Sequence, residues 1–415
     1  TGRARQPLPP ALAADVATGY PHRGASARPF ETVGLPPAGA LSTTGADLAR
    51  FMIAHLDEGG PLLKPQTAAL MQQTASRPLP PLAGMALGFF VLREEKPRIL
   101  EHGGATGVAR ASLWLFPETR TGIAILTNSP GKSEAAVRLF QALLQGFLAR
   151  WHPEANAMPP VTAGSAASAV AGRYLPTRRS GRGIARAFGF SQAVSITASA
   201  DGALRTSRPT APDGEPMIFR PVADGLWQNP ESGRRLAARL EGGRVALVGI
   251  EPAASAILLE PAAWWRDPAW LQPALNLALL FFVLLLLAWP VGALARWWLG
   301  VRRSADPAGR RHLGFLRLAA LGVVIAMVGL TAMLARLSAD PALLGGPVWP
   351  ILALQGLLAV TLAALLPATL LRLQLVYRTR QGTASIAGHA LLVVAALVLS
   401  FAAVVLGLAL PVAAF

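Results

Sequence analysis

The sequence predicts a multidomain α+β and membrane protein: a mixed helix-and-sheet region, then a small β-rich module, then four transmembrane helices. Three observations predict it. Hydrophobic residues make up 53% of the 415 positions, more than a wholly soluble chain carries, so lipid must solvate part of the molecule. The longest apolar runs gather near the C-terminus in four stretches almost free of charge. Upstream, short apolar runs alternate with turn residues in the manner of helices and strands around a soluble core.

The four stretches lie near 271–295, 313–335, 348–371 and 386–412. A hydrocarbon core about 30 Å thick needs roughly 20 helical residues to cross it, and each stretch is long enough. NLALLFFVLLLLAW and LLVVAALVLSFAAVVLGLAL are apolar on every face, which only lipid or a large core accommodates. Pro290 and Pro367 inside the spans are tolerable where neighbouring helices re-satisfy the freed carbonyls.

Loop charge sets the expected orientation. Arg296, Arg302, Arg303, Arg310 and Arg311 follow the first span, and Arg372, Arg378 and Arg380 follow the third, so these connections are expected in the cytoplasm. The middle connection has only Arg336 nearby and includes Asp340, which suits the opposite side. Both termini are then outside. Trp264, Trp265 and Trp270 precede the first span as an interfacial belt on that outer face. The spans carry no paired acids of the kind that line an ion path, so they read as an anchor. His389, near the start of the last span, reads as an interfacial group and receives no role.

Residues 1–155 contain the mixed region. STTGADLARFMIAHLDEGG is an amphipathic helix with Thr44 as N-cap, Asp47 three residues on in a capping-box position, and Gly59 and Gly60 at its end. LLKPQTAALMQQT is a shorter second helix. MALGFFVLRE, ILEHGG, ARASLWLFPE and TGIAILTNSP then read as consecutive antiparallel strands, with PETRTG as a hairpin turn. KSEAAVRLFQALLQGFLARW closes the region as an amphipathic helix across the sheet.

Four phrases, PAGALSTTGADLARF, LLKPQTAALM, EHGGATG and LWLFPETRTGIAILTNS, occur in this order over about residues 8–148. In this order they resemble the serine β-lactamase-like family of class C β-lactamases and penicillin-binding proteins. The resemblance implies an antiparallel sheet flanked by helices, a serine acyl-enzyme mechanism and no cofactor. The family's site combines a Ser-x-x-Lys helix start, a Tyr-x-Asn loop and a Lys/His-x-Gly strand. Only the third has a counterpart here. The resemblance implies that His102 stands where the family usually has lysine, that Gly103 and Gly104 let substrate lie against the strand, and that the backbone N–H of Ala105 is an oxyanion-hole donor. Read without the resemblance, the two glycines provide a bend in an edge strand.

The other two motifs are missing from these residues. Each tyrosine lacks the following pattern: Tyr20 precedes Pro21-His22, Tyr174 precedes Leu175-Pro176, and Tyr377 precedes Arg378-Thr379. A Ser-x-x-Lys string does occur at Ser129–Lys132, but it follows the His-Gly-Gly strand and contains Pro130 and Gly131, which favour a turn. A working pair needs both side chains on the first turn of a buried helix, so this string is expected to be chance. The chain opens at Thr1 with neither an initiator Met nor a secretory signal, and LPPALAADVATGY resembles the family stretch that follows Tyr-x-Asn. Upstream sequence is therefore expected, and its absence should leave apolar faces uncovered.

A Pro/Ala/Ser-rich linker at 156–168 leads to the β-rich module at 169–262, with turns in AGRYLPTRRSGRG, QAVSITASADGALRTS, GLWQNPESGRRLAARL and RVALVGIEP. Arg178 and Arg179 read as solvated surface charge, with an anionic ligand or lipid headgroup as the alternative, and receive no site. The net charge of +16 reflects arginines beside apolar runs. No basic stripe interleaved with aromatics accompanies it, so nucleic acid is not expected as a partner. The sequence contains no cysteine, and His22, His55, His102, His152, His312 and His389 are scattered without metal-ligand spacing, so no metal or cofactor is expected.

The functional expectation is the C-terminal portion of a membrane-anchored serine hydrolase, acting outside a bacterial cytoplasmic membrane on an amide or ester, and inactive by itself. Membrane lipid, and a small-molecule or peptide substrate in the intact protein, are the expected partners. The competing expectation is a non-catalytic membrane protein that binds a ligand or partner through the remnant of the cleft.

Overall fold

The computed structural model describes residues 9–31, 39, 41–80, 82, 84–153, 167–181, 183–210, 215–301, 307–339 and 347–409. The linker at 156–166, Arg302, Arg303, Asp340 and positions 410–412 of the last expected span lie outside them. The chain divides into two compact units. One contains Thr1–Arg178 and Val194–Pro261; the other contains Arg179–Ala193 and the long C-terminal helices.

In the first unit, helix α1 (Gly45–Leu56) begins where expected. Thr44 is extended, and its Oγ1 accepts from the Asp47 N–H at 3.2 Å, satisfying one of the donors a helix start leaves open. Gly59 and Gly60, both with positive φ, turn the chain away. Helix α2 (Pro65–Gln72) follows, with proline at its first position, where no N–H is needed.

Six antiparallel strands come next: β1 (Thr74–Ser76), β2 (Met85–Ala86), β3 (Phe90–Arg93), β4 (Ile99–Ala105), β5 (Arg110–Phe116) and β6 (Thr121–Thr127). They pair in sequence order as an open sheet. Its pleat sorts the core in two. Leu100, Leu113 and Leu115 pack with Met52 of α1 on one face, and Ile99, Trp114 and Phe116 pack on the other with Phe140 and Leu148 of the closing helix α3 (Ala135–Trp151). Side chains of this size each stabilise by about 1.5–3 kcal/mol on full burial. Ile53, Leu126, Leu139 and Trp151 remain exposed on the same elements.

Past a short helix α4 (Ala167–Val170) lie the strands of the β-rich module: β7 (Gly172–Pro176), β8 (Val194–Ala198), β9 (Leu204–Thr210), β10 (Pro216–Ala223), β11 (Leu226–Gln228), β12 (Arg235–Glu241), β13 (Arg244–Ile250) and β14 (Leu259–Pro261). They close into an eight-stranded barrel, sealed where Glu260 of β14 meets Leu175 of β7. Trp227, Phe219, Leu204, Leu236 and Val248 fill it, and the Trp227 indole donates to the Gly202 carbonyl at 3.0 Å. The barrel meets the sheet region through Leu79 and Leu82, which pack on Ala237, Ala254 and Leu258. At the same junction Arg235 pairs with Glu251 at 2.8 Å and with Glu95 at 3.4 Å.

The second unit contains four helices long and apolar enough to cross a membrane: α6 (Pro268–Trp298), α7 (Pro307–Ala339), α8 (Trp349–Arg378) and α9 (Thr383–Val405). The protein is thus a multi-pass membrane protein. Gly322 packs against Thr361, and Gly329 against Leu354, where a Cβ would stand 2.2 Å and 2.8 Å from those side chains. Small residues thereby let α7 and α8 approach closely. Helix α9 stops at Val405, and Gly407 with positive φ ends the run that the sequence reading carries to 412. The chain between β7 and β8 also belongs to this unit. It forms helix α5 (Ala185–Ser191), which the sequence reading of this module as strands and turns does not include, and Ile184 and Ala187 are buried in the core of the helix bundle.

Candidate functional site

The His102 strand is β4, and its C-terminal half is where the sheet opens. Strand β3 pairs with β4 only as far as Glu101, opposite Phe90, whereas β5 pairs along β4 to Ala105. Among the described residues, no strand covers the β3-side edge of β4 beyond Glu101. Strand register shows which groups that edge presents. The Thr106 N–H donates to the Ala109 carbonyl at 3.0 Å, toward β5. In an antiparallel ladder, hydrogen-bonded and non-hydrogen-bonded residues alternate, so the N–H and C=O of Ala105 and of Gly103 point to the open edge.

His102, Gly103, Gly104 and Ala105 are all exposed. His102 shares the sheet face of Leu100, and its Nδ1 lies 2.7 Å from the Gly88 carbonyl. A carbonyl can only accept, so Nδ1 is the donor, and Nε2 is left to accept a proton or to bind an acidic group. The Phe90 ring lies 6.1 Å from the imidazole and tilted to it, which supports its orientation. Neither glycine has a left-handed backbone. A Cβ on Gly104 would meet only the Ala111 Cβ, at 3.8 Å, so what this glycine provides is a bare strand surface.

On the opposite face Glu101 is largely enclosed. The Ser112 hydroxyl donates to its carboxylate at 3.2 Å. Burial raises the Glu101 carboxyl above the ordinary carboxylate range, while the Ser112 hydrogen bond and the charge of His102 pull it down. A Cβ on Gly103 would stand 3.3 Å from this carboxylate. At the end of the strand the Gly107 N–H donates to the Glu31 carboxylate at 2.7 Å.

Sequence reasoning places the four site residues on one strand but misses Gly88, Phe90 and Glu101. Gly88, with a φ of 82° in the turn before β3, has a readable signal, since Leu-Gly-Phe-Phe marks a break before a strand. Glu101 is next to His102 in sequence, yet its enclosure depends on Ser112 across the ladder.

The Ser129–Lys132 string lies in a turn ahead of α3, with Lys132 opening a single 3-10 turn. The Ser129 hydroxyl accepts from the Gly131 N–H at 3.1 Å in a tight turn, Ser133 and Glu134 have left-handed backbones, and α3 begins only at Ala135. Two concavities in this unit, one around Gln72, Thr74, Glu94 and Arg98, the other around Tyr20, His22, Thr127 and Ser129, do not include β4. No group of histidines and acids suited to a metal occurs among the described residues.

Residues 2–147 match the family model described as Beta-lactamase. The N-terminal region is β-lactamase-related. Solved structures similar to the chain include SurE, at 18% identity and a TM-score of 0.38, covering 59% of this chain and 55% of that one. SurE with D-Leu matches at 19% identity and a TM-score of 0.35, covering 60% of each chain. A class C beta lactamase from Rhodobacter sphaeroides matches at 18% identity and a TM-score of 0.27, covering 34% of this chain and 48% of that one. The chain thus spans about half to three-fifths of the length of these structures. No curated protein matches it. The β-lactamase-related region, the barrel and the membrane helices are joined in one polypeptide.

Proposed function

We propose that this chain is the C-terminal portion of a membrane-anchored serine hydrolase that acts outside the cytoplasm on an amide or ester. The observation that carries the proposal is the open edge of β4, which combines His102, a bare Gly103-Gly104 surface and the outward N–H of Ala105 within a region matching the Beta-lactamase family. An extended substrate would lie along this edge, hydrogen-bonded to the outward groups of Gly103 and Ala105, as a peptide adds to a sheet edge. In the acylation step a serine Oγ bonds to the carbonyl carbon, its proton passes to the activating base and then to the leaving group, and the C–N or C–O bond breaks. The Ala105 N–H would stabilise the oxyanion of the tetrahedral intermediate, and His102 would recognise or polarise substrate through Nε2. No Tyr-x-Asn occurs in these 415 residues, and their one Ser-x-x-Lys lies in a turn, so this chain by itself would not be acylated.

The arginines between the first and second and between the third and fourth membrane helices support a cytoplasmic location for those connections, leaving the β-lactamase-related region outside. Labelling membranes with a serine-reactive fluorophosphonate and a fluorescent penicillin tests the proposal. This chain is compared with the product of its natural locus including any in-frame upstream sequence. We expect label on the longer product alone. Absence of label from both, with both folded, would favour a protein that binds a ligand without turning it over.

A further inference from the structure

Helices α6, α7, α8 and α9 contain no aspartate or glutamate, yet at one end of the bundle basic side chains continue the buried stripes of three of them. Buried positions recur three and four residues apart on the core side of each helix. His312 stands four residues before Leu316 of α7 and seven before Ala319. Arg372 stands three after Thr369 of α8 and four before Val376, and His389 stands three before Leu392 of α9 and seven before Ala396. All three are half-buried. Helices α7 and α8 run antiparallel and in step, because Gly322 meets Thr361 and Gly329, seven residues on, meets Leu354, seven residues back. Ten residues back from Gly322 is His312, and ten on from Thr361 is Leu371, so His312 and Arg372 are level. The short turn Thr379–Gly382 brings His389 alongside.

The contact between α8 and α9 is direct. The Arg372 Nε–H donates to Nε2 of His389 at 3.4 Å, and Nδ1 of His389 lies 2.7 Å from the Ser385 carbonyl. A carbonyl only accepts and a guanidinium only donates, so Nδ1 carries the ring proton and the imidazole is neutral. His389 therefore positions Arg372 without balancing its charge. Among the described residues no carboxylate pairs with Arg372, and the donors on its two outer nitrogens have no partner. The Nδ1 of His312, at the same level, is also buried without a hydrogen-bond partner. A half-buried guanidinium and an orphan imidazole nitrogen both call for a polar group that these helices do not supply. Depth along the membrane is set by α8. Trp349, 69% exposed, opens this helix as an interfacial ring, and Arg372 lies 23 residues on, about 35 Å along the axis against a hydrocarbon core of about 30 Å. Leu370, Leu371 and Leu391 beside the pair are exposed, as is Tyr377 further along α8.

We infer that Arg372, held in place by His389 and joined by His312, binds the phosphate of an anionic phospholipid at the end of the bundle where α7 and α9 begin. The planar fork of the guanidinium suits two phosphate oxygens, and one of these can also accept from His312 in its Nδ1–H form. A zwitterionic headgroup brings its own cation, for which the helices hold no acid, so an anionic lipid is preferred. The exposed leucines place the charge beside the acyl-chain boundary, which selects a lipid over a soluble phosphate. This inference depends neither on the hydrolase reading nor on which side of the membrane this end occupies.

Native mass spectrometry of the full chain in neutral detergent, with phosphatidylglycerol or phosphatidylcholine added, tests it. Phosphatidylglycerol should be retained in preference, and Arg372→Gln should weaken that retention about five-fold and His312→Leu about two-fold. His389→Ala removes no charge but releases Arg372 and should lower retention, whereas His389→Gln, whose side-chain oxygen can accept from Arg372, should restore it. Arg378→Gln removes an exposed charge off the buried stripe and should matter less than Arg372→Gln. Equal losses at 372 and 378 would mean general attraction to surface charge and would overturn the inference. Asp306→Asn, at the acid of the connection before α7, should leave retention unchanged; a gain would show that this carboxylate already occupies the site, and overturns it too. The comparison of the two lipids on the unaltered chain decides the matter even where a variant fails to fold, since equal retention there contradicts the inference. Displacement of the lipid by millimolar inorganic phosphate would do the same, marking a site for soluble anions.

Discussion

The six-stranded sheet and the eight-stranded barrel are both antiparallel, but they treat their edges differently. The barrel pairs β14 with β7 and leaves no edge, and its central side chains, Trp227, Phe219, Leu204 and Leu236, are at most 1% exposed. The sheet stays open, and among the described residues half of β4 has a strand on one side only. An unpaired edge leaves backbone donors and acceptors that another extended chain can pair with. The comparison teaches that the barrel spends its backbone groups on closure, whereas the end of β4 keeps N–H and C=O groups unspent on β3, which is what the proposed function uses.

The largest expected effect is in the barrel. Trp227→Ala removes a fully enclosed indole and its hydrogen bond to Gly202, and should lower the local stability of β8–β13 by about 3–5 kcal/mol, read by amide hydrogen exchange of the full chain. Protection within β4 and β5 should fall much less. Equal loss in both regions would mean that the sheet and barrel unfold as one body and would break the comparison.

Arg235→Ala tests the junction. It leaves Glu251 and Glu95 without this partner, and the side chain of Glu251 is only 16% exposed. A loss of roughly 1–3 kcal/mol is expected, below the cost for a fully buried pair because water reaches the site. Exchange should quicken in β12 and around Leu79 together, since Leu79 packs on Ala237 of β12.

A smaller effect is expected from Glu101→Gln, which sharpens the account of the sheet. Burial raises the Glu101 pKa, so the folded state holds this proton more tightly than the unfolded chain. Its contribution is therefore fully present below the ordinary glutamate pKa of about 4.3 and is lost as pH rises through the raised value. The substitution should flatten this part of the pH dependence of β4–β5 exchange and leave the barrel unchanged.

Much of this architecture is legible in the sequence because its signals are local. Thr44 three residues before Asp47, Gly59-Gly60 after an amphipathic run, and long charge-free stretches each specify an element without reference to distant residues. The unread features depend on non-local pairing. Closure of the barrel rests on three residues of β14 meeting β7 more than eighty positions upstream, and the open edge of β4 depends on where β3 ends. Helix α5 is too short for its periodicity to stand out among Arg179–Ala193, and its apolar residues find their partners only in helices that begin more than seventy residues later. His102, Gly103, Gly104 and Ala105 are readable as a motif, whereas the direction of the Ala105 N–H follows only from the Thr106–Ala109 register.

That N–H offers the most direct test. Ala105→Pro deletes it from the open edge and leaves the β5 ladder intact, because the deleted group points away from β5, and Gly104 before it tolerates the restriction proline imposes. The measurement is the rate of acylation by a fluorescent penicillin or fluorophosphonate in the locus product that carries the upstream sequence, with β4–β5 exchange confirming the fold. We expect the rate to fall about 10²–10³-fold with the sheet preserved, the cost of losing one oxyanion-hole donor. An unchanged rate in the folded variant would contradict the assignment of this edge as the place where the reaction occurs.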